Sequence, residues 1–328
     1  MKKNAKRWIA LAITIVVVLL AAFTGDRVNQ NTDKLKDKYL DSFMAYPGYR
    51  ESVLRGSNSK EKIKIVNVNG IILSDGANDF AVNELKEAAE DPSIAGVILN
   101  VDSPGGSVYA SERIANEVEG LKEANKPVYA VMGEMAASGG YYISAPTDKI
   151  YASNETWTGS IGVIIQSYSL EGLFDKHGIK EQNITTGAMK DAGSYGSDMT
   201  DEEKEYFQGL VDSAFDRFVS LVAKGRNMSE REVRKLADGR VYDGSQALEN
   251  GLIDEIGDID KAIADMTLKN NLSDPMIIMN ENIMGPFANI FSMVKDLRKE
   301  SRSDLAILND FMDGNDLRPM YLFGGHND

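Results

Sequence analysis

The pattern of apolar and polar residues predicts an alternating series of strands and helices in the middle of the chain. Residues 62–70, KIKIVNVNG, alternate between the two classes, which is typical of a half-buried strand. Two later runs, AGVILNVD at 95–102 and PVYAVM at 127–132, are almost wholly apolar, as are parallel strands buried on both faces. Further strands are predicted at 149–152 and 161–166, and helices at 79–90, 109–124, 201–225 and 230–236.

The order of these elements predicts the fold class and the limits of the domain. Strand, loop and helix follow one another at short spacing, which indicates an α/β domain with a largely parallel sheet over residues 61–267. The loops that follow the strands of such a sheet are the usual place for functional groups. The preceding residues 26–60 are polar and of mixed charge, and we expect them to form a stalk.

A C-terminal extension, residues 268–328, differs in character from the domain. It contains six of the 14 methionines and an amphipathic stretch at 287–297, which we expect to pack on protein. Its last apolar residues are PMYLF at 319–323. We take as a hypothesis that this segment threads into a peptide-binding groove.

An apolar run near the N-terminus predicts a membrane anchor at residues 8–25. It contains WIALAITIVVVLLAAFT, 17 residues without a charge, which as a helix would be about 26 Å long and just cross a bilayer. Four basic residues in segment 1–7 predict a cytoplasmic N-terminus and an extracellular position for the rest. A cleaved signal peptide is the alternative, although Phe23 and Thr24 do not fit a small-residue cleavage site.

Composition excludes several classes of chemistry. The chain has no cysteine, which excludes thiol nucleophiles, disulfides and thiolate metal sites. It has two histidines, His177 and His326, too few for a three-histidine metal site and poorly placed for a Ser-His-Asp triad. The formal net charge of −14 becomes more negative beyond the basic N-terminus, and such a body repels nucleic acid. We expect no metal, no cofactor and no nucleic-acid partner.

Ser138 is the candidate nucleophile. It lies in AASGG, where small residues on both sides allow a sharp strand-to-helix turn that exposes its hydroxyl. The amide of Gly139 would then face a developing oxyanion. A helix-capping serine is the alternative interpretation. In DSPGG at 102–106, the amide of Gly105 is a second candidate donor, although an ordinary Pro-Gly turn has the same sequence.

A lysine is the candidate base, because neither histidine suits the role. His177 precedes Gly178 in a polar segment that resembles a helix end, and His326 lies in the polar terminus. A lysine acts as a base only where its surroundings lower its pKa. Lys190 lies among small and apolar residues, whereas most other lysines lie in charged runs, and a solvated loop lysine is the alternative interpretation.

Five motifs between residues 61 and 265 carry a resemblance to a known family. They are DSPGG at 102–106, AASGGYYIS at 136–144, TGSIGV at 158–163, GAMKDAG at 187–193 and GRVYDG at 239–244. In this order and at this spacing they resemble the signal peptide peptidase A family. The likeness is to its short form, which has one repeat and an N-terminal anchor and occurs in Gram-positive bacteria.

The resemblance implies a ClpP/crotonase-like fold and a serine endopeptidase with a Ser/Lys dyad. By motif position, Ser138 corresponds to the nucleophile and Lys190 to the general base. Ser160 corresponds to the residue whose hydroxyl orients the lysine. Gly105 corresponds to a backbone donor of the oxyanion hole, which the amide of Gly139 would complete.

The resemblance also implies an assembly and a substrate class. Members form dome-shaped homo-oligomers, in which each active site lies near a subunit interface and faces the membrane. Their substrates are signal peptides left in the membrane and other apolar peptides. Two alternatives from other classes remain open at this point: a crotonase-like acyl-CoA enzyme, and a catalytically inactive, membrane-anchored interaction protein.

Overall fold

The computed structural model describes residues 49–74, 76–282 and 318–322. All of these belong to one compact unit except Tyr49, Arg50 and Asn282. The predicted anchor at 8–25 and the amphipathic stretch at 287–297 lie outside the described residues. Within the described ranges, no helix combines the length and the apolar character needed to cross a membrane.

The described residues form strands and helices in alternation. The strands are β1 (Tyr49–Arg55), β2 (Asn58–Asn69), β3 (Ile94–Ser103), β4 (Gly105–Ser107), β5 (Val128–Ala137), β6 (Lys149–Ala152), β7 (Trp157–Gly159), β8 (Val241–Tyr242), β9 (Glu255–Ile256), β10 (Pro275–Asn282) and β11 (Met320–Leu322). The helices are α1 (Gly76–Glu90), α2 (Val108–Glu123), α3 (Gly139–Ser144), α4 (Glu171–His177), α5 (Asp201–Arg226), α6 (Glu230–Leu236), α7 (Gly244–Glu249) and α8 (Ile259–Lys269).

A nine-stranded, mostly parallel sheet forms the centre of the molecule. Its order is β1-β10-β2-β3-β5-β6-β9, and β7 extends from β5 and pairs with β8 in antiparallel fashion. In the parallel centre, Val101 pairs with Val68 on one side and with Met132 on the other. The carboxyl ends of β2, β3 and β5 therefore meet at one edge of the sheet, as expected for an α/β fold.

Alternate residues of the central strands pack on opposite faces of the sheet. Ile63 and Ile65 of β2 belong to a cluster with α8, whereas Val66 and Val68 belong to the larger core that includes α1 and α2. This alternation follows from the two-residue period of a strand. With helices on both faces, the central strands are buried throughout, which explains the nearly continuous apolar runs in their sequences.

The sheet extends beyond the predicted domain limits of 61–267. Strand β1 comes from the predicted stalk, and β10 comes from the predicted extension and lies between β1 and β2. The strand predicted at 161–166 does not form, and only Ile164 makes an isolated bridge, to Met320. That prediction was wrong because several apolar residues of this segment line a cavity instead of entering the sheet.

Candidate active site

Ser138 occupies a sharp turn between β5 and α3. Its backbone has φ 51° and ψ −112°, a conformation that residues other than glycine rarely adopt. Hydrogen bonds hold the turn on both sides, because the amide of Ser138 donates to the carbonyl of Gly159 at 2.8 Å and its carbonyl accepts from the amide of Tyr142 at 2.8 Å. This is the geometry of a nucleophile elbow.

The hydroxyl of Ser138 is not used to cap a helix. Its side chain makes no capping hydrogen bond to α3, and no hydrogen bond joins it to another residue in the described part of the chain. The capping alternative therefore has no support. The residue is almost fully buried, at 1% exposure, yet it lines a cavity of about 440 Å³.

Glycines let the chain after Ser103 approach the turn at Ser138. A Cβ at Gly139 would lie 3.0 Å from the amide nitrogen of Gly106, and one at Gly140 would lie 2.8 Å from the carbonyl oxygen of Ser103. Gly105 has φ 106°, and a Cβ there would lie 2.7 Å from the amide nitrogen of Gly139. The DSPGG and AASGG motifs therefore meet at backbone contact distance.

The amide of Gly105 already has an acceptor, since it donates to Ser103 Oγ at 3.0 Å. The next amide along the chain, that of Gly106, has a different acceptor. Strand β4 pairs with β11 in antiparallel register, with Gly106 opposite Tyr321 and with Val108 donating to the Pro319 carbonyl. Because hydrogen-bonded pairs alternate along such a ladder, the amide of Gly106 faces the carbonyl of Tyr321.

The carbonyl of Tyr321 lies beside both candidate donor amides. Its oxygen is 2.0 Å from the Cβ position of Gly105, which is itself 2.7 Å from the amide nitrogen of Gly139. The Tyr321 carbonyl and the amide of Gly139 therefore both lie close to Gly105. Which glycine amide faces this carbonyl depends on the pairing of β4 with a distant strand, so the local sequence could not show it.

Strand β11 lies as an extended segment between two parts of the site. One side pairs with β4, and on the other side Met320 and Ile164 exchange backbone hydrogen bonds of 2.9 and 3.0 Å. Leu322 lines the same cavity as Ser138. A peptide bound in this way is itself an added strand that pairs with the backbone on both of its sides. The addition of a strand is a recurring mode of peptide recognition.

An aromatic slot holds the fully buried side chain of Tyr321. Its ring stacks on Tyr142 at 4.8 Å and meets Phe218 at 4.7 Å, and its hydroxyl donates to the Ala214 carbonyl at 3.0 Å. Burial raises the pKa of Tyr142 to about 12 and also raises that of Tyr321, so both hydroxyls stay protonated at neutral pH. No sequence motif indicates this slot, since its members come from α3, α5 and β11.

Ser160 lies in the same cavity as Ser138. It is almost fully buried, its φ is 48°, and its amide donates to the carbonyl of Arg240 at 2.8 Å. The cavity is otherwise mainly apolar, with two carboxylates at its rim. Its lining comprises Ser138, Ser160, Ile161, Gly162, Val163, Ile164, Val211, Asp212, Phe215, Ala237, Asp238, Gly239 and Leu322.

Lys190 does not reach this cavity within the single chain. It lies in the loop between α4 and α5, is exposed, and does not line the cavity of Ser138. Its side chain makes no hydrogen bond or ion pair with other residues that the structure describes. The structure therefore places Ser138, Ser160, Gly105 and Gly139 together, and leaves Lys190 apart from them.

Neither histidine nor a metal cluster is part of the described site. His177 ends α4, where Gly178 adopts a left-handed conformation, and both residues are exposed, whereas His326 lies outside the described residues. Across the described ranges, no group of three or more histidine, cysteine, aspartate or glutamate residues is arranged to hold a metal ion. The described site contains the free hydroxyl of Ser138 beside the backbone of the glycines at 105, 106 and 139.

Comparison with known proteins identifies the family. Residues 120–273 match the profile of peptidase family S49. A putative signal peptide peptidase SppA of Enterococcus faecium is 36% identical over 342 aligned residues, which cover 98% of this chain and 99% of that protein. Protease 4 of Haemophilus influenzae is 41% identical over 63% of this chain and 34% of its own length. The chloroplastic serine protease SPPA of Arabidopsis thaliana is 32% identical over 72% of this chain and 37% of its own length. The chain therefore belongs to the signal peptide peptidase SppA family, within peptidase family S49, and is a serine peptidase of mixed α/β fold.

Proposed function

We propose that the protein is a membrane-anchored serine endopeptidase that degrades signal peptides and other apolar peptides with a Ser138–Lys190 dyad. One observation carries the proposal: the elbow hydroxyl of Ser138 lines a cavity that is also lined by Leu322 of the extended segment β11, and the neighbouring Tyr321 of this segment pairs with Gly106. This arrangement suits acyl transfer from a peptide.

The chemistry follows from the roles of these groups. Neutral Lys190 takes the proton of Ser138 as Oγ attacks the peptide carbonyl, and a tetrahedral intermediate forms. The amides of Gly106 and Gly139 stabilise its oxyanion. We assign the first donor to Gly106 and not to Gly105, because the amide of Gly105 is bonded to Ser103 Oγ. The C–N bond then breaks, the leaving amine takes the proton, and water hydrolyses the acyl-enzyme.

Ser160 is assigned the role of orienting the lysine. Its side chain is free of hydrogen bonds to described residues and lines the cavity next to Ser138. A hydroxyl in this position can accept a hydrogen bond from an ammonium group that enters the cavity. Ser160 then holds Nζ of that lysine toward the nucleophile.

A homo-oligomer provides the route by which Lys190 reaches a serine. A lysine must be buried to act as a base, and Lys190 is exposed in the single chain. The arm that carries it, residues 165–200, buries only Gly193 among its own residues and exposes large apolar side chains. Those side chains include Leu173 at 42%, Ile179 at 49% and Ile184 at 103% exposure. We assign the arm to a subunit interface, where it delivers Lys190 to the Ser138 cavity of a neighbouring copy.

The substrate class follows from the apolar lining and from the geometry of β11. An extended peptide pairs with β4 and with Ile164, and it places one side chain between Tyr142 and Phe218. Signal peptides supply such apolar segments once they lose helical structure. The anchor at 8–25 would hold the enzyme where those peptides remain, with the domain on the extracellular side.

Labelling and mutation of the dyad test the proposal. A serine-directed phosphonate is expected to label the full-length protein, and Ser138→Ala is expected to abolish both labelling and hydrolysis of apolar peptides. Lys190→Ala is expected to abolish hydrolysis while the subunit stays folded, since its side chain makes no contact with described residues that stabilises its own chain. Labelling that persists in Ser138→Ala would refute the nucleophile, and hydrolysis that persists in Lys190→Ala would refute the base. An acyl-CoA enzyme or an inactive interaction protein would show neither labelling nor hydrolysis.

A further inference from the structure

Ser111 has a buried hydroxyl without an evident structural use. It lies in the first turn of α2 and is fully buried, at 0% exposure. Among the described residues, its Oγ is the one buried side-chain oxygen or nitrogen that has no hydrogen-bond partner. Such a group is unfavourable for stability, so its presence calls for an explanation.

The helix that carries Ser111 does not need the hydroxyl. The N-cap of α2 is Ser107, whose side chain accepts from the amide of Ala110 at 3.2 Å. A serine inside a helix often bonds to the carbonyl four residues earlier, and Ser111 makes no such bond. Local helix structure therefore leaves this hydroxyl free to turn.

The hydroxyl of Ser111 lies next to Gly139, whose amide is assigned to the oxyanion hole. Ser111 Oγ lies 2.7 Å from the point that a Cβ at Gly139 would occupy, and the amide nitrogen of Gly106 lies 3.0 Å from that same point. The two amides assigned to the oxyanion hole and the free hydroxyl thus surround the methylene of Gly139. The carbonyl of Tyr321, which lies close to Gly105, accepts no hydrogen bond from Ser111.

We propose that Ser111 is a positioning residue of the oxyanion hole, a role that rests on the proposed function. Its hydroxyl contacts the Gly139 methylene and turns its O–H dipole toward the negative charge that the amides of Gly106 and Gly139 hold. No ground-state hydrogen bond has to break for this rotation. The interaction therefore exists mainly in the transition state and acts on kcat, with little effect on substrate binding.

Kinetics of Ser111→Ala in the full-length protein test the proposal. The expected result is a fall in kcat of about tenfold, with KM unchanged. Affinity for a peptide boronate, which forms a tetrahedral adduct with the nucleophile, falls by a similar factor. The melting temperature stays the same or rises, because the change removes a buried hydroxyl that has no partner. Loss of activity together with a gain in stability is a combination that a merely structural serine would not produce.

Ser144→Ala provides a matched control for the stability measurement. Ser144 is also fully buried, but its hydroxyl donates to the Gly140 carbonyl at 2.8 Å, so its replacement is expected to lower the melting temperature. An unchanged kcat and boronate affinity in Ser111→Ala would overturn the role of Ser111, as would a rise in KM together with a lower melting temperature. Full activity in Ser138→Ala would instead refute the proposed function itself, so the two failures are distinguishable.

Discussion

Ser138 combines a strained backbone with a free hydroxyl, and both features come from its neighbours. The conformation at φ 51° persists because β7 and α3 bond the turn on both sides, through Gly159 and Tyr142. Strain of this kind is kept where the surrounding structure determines it completely, most often at active sites. The flanking Ala137 and Gly139 leave room for the turn, which is why the local sequence alone pointed to it.

Replacement of Gly105 by alanine is expected to disable the site. Its φ of 106° disfavours any side chain, and a Cβ would lie 2.7 Å from the amide nitrogen of Gly139. We expect Gly105→Ala to lower kcat by about 100-fold, because displacement of the Gly139 amide removes one of the proposed oxyanion donors. Gly120→Ala is the matched control, because nothing lies within 4 Å of its Cβ position in α2 and alanine favours a helix by about 1 kcal/mol. Steady-state kinetics and thermal unfolding of both variants check this, and near-normal kcat in Gly105→Ala would contradict it.

The residues of the site differ in how far the sequence determines them. The sharp turn at Ser138 could be predicted because its signal is local: small residues flank one hydroxyl after a buried strand. Which of the amides of Gly105 and Gly106 faces the Tyr321 carbonyl is not a local property, since it depends on register with a residue more than 200 positions away. Lys190 was identified by motif and resemblance, and its role stays a prediction because the single chain does not bring it to the serine.

At the scale of elements, β10 joins the C-terminal part of the chain to the central sheet. It pairs with β2 in parallel register, and Asn280 donates to Glu84 of α1 at 2.7 Å. Glu84 also pairs with Lys64 of β2 at 3.2 Å, with both side chains less than 10% exposed. The buried Lys64–Glu84 ion pair and the Asn280 hydrogen bond thus link β2, α1 and β10. This strand was not predicted, because its apolar residues lie beyond the predicted end of the domain at residue 267.

Replacing one partner of this ion pair is expected to lower the free energy of unfolding more than replacing both partners by apolar residues. Glu84→Gln leaves the ammonium of Lys64 buried without a counter-charge, and we expect a loss of about 3 kcal/mol in the free energy of unfolding. The double variant Lys64→Met with Glu84→Leu is expected to be more stable than Glu84→Gln, because no buried charge remains. Urea unfolding measures both. A double variant less stable than Glu84→Gln would show that the pair itself is strongly stabilising.

The single variant Lys64→Met is expected to respond to pH. Burial raises the pKa of Glu84 above its usual value, and loss of Lys64, which lowers this pKa, would raise it further. The folded state then binds a proton more tightly than the unfolded state. The stability of Lys64→Met relative to the wild type should therefore be greatest below the usual pKa of a glutamate and fall as pH rises through the folded-state pKa of Glu84. Urea unfolding of both proteins at several pH values checks this, and a relative stability that rises with pH over this range would contradict it.

At the scale of the whole molecule, the proposed function implies that β11 lies in the groove that a substrate would occupy. Deleting residues 319–328 is expected to raise hydrolysis of apolar peptides, because it frees the pairing edges of β4 and Ile164 and the slot at Tyr142. Deleting only 324–328 is the matched control and is expected to change activity little. A synthetic RPMYLF peptide should then inhibit the truncated enzyme. Equal activity of the two truncations would count against occupation of the groove by this segment.

Unlike β11, the arm at 165–200 is almost entirely unburied within its own chain. A segment with exposed leucine and isoleucine side chains is unfavourable in water unless another surface covers it. The nearby first half of α5 likewise exposes Tyr206 and Leu210. Its N-terminus is nevertheless well formed, with a capping box between Thr200 and Glu203. An ordered but uncovered surface of this kind fits an interface between copies.

Mixed oligomers test whether the dyad is built across that interface. Ser138→Ala and Lys190→Ala are each expected to be inactive alone, whereas their co-expression should restore activity. If each site takes its serine from one copy and its lysine from the next, random mixing at equal amounts makes about a quarter of the sites complete, since each required residue is intact in half of the copies. Different affinity tags on the two variants establish that mixed assemblies form. Mixed assemblies without activity would mean that Lys190 acts within its own chain, and the exposed arm would then have to fold back onto the cavity of Ser138.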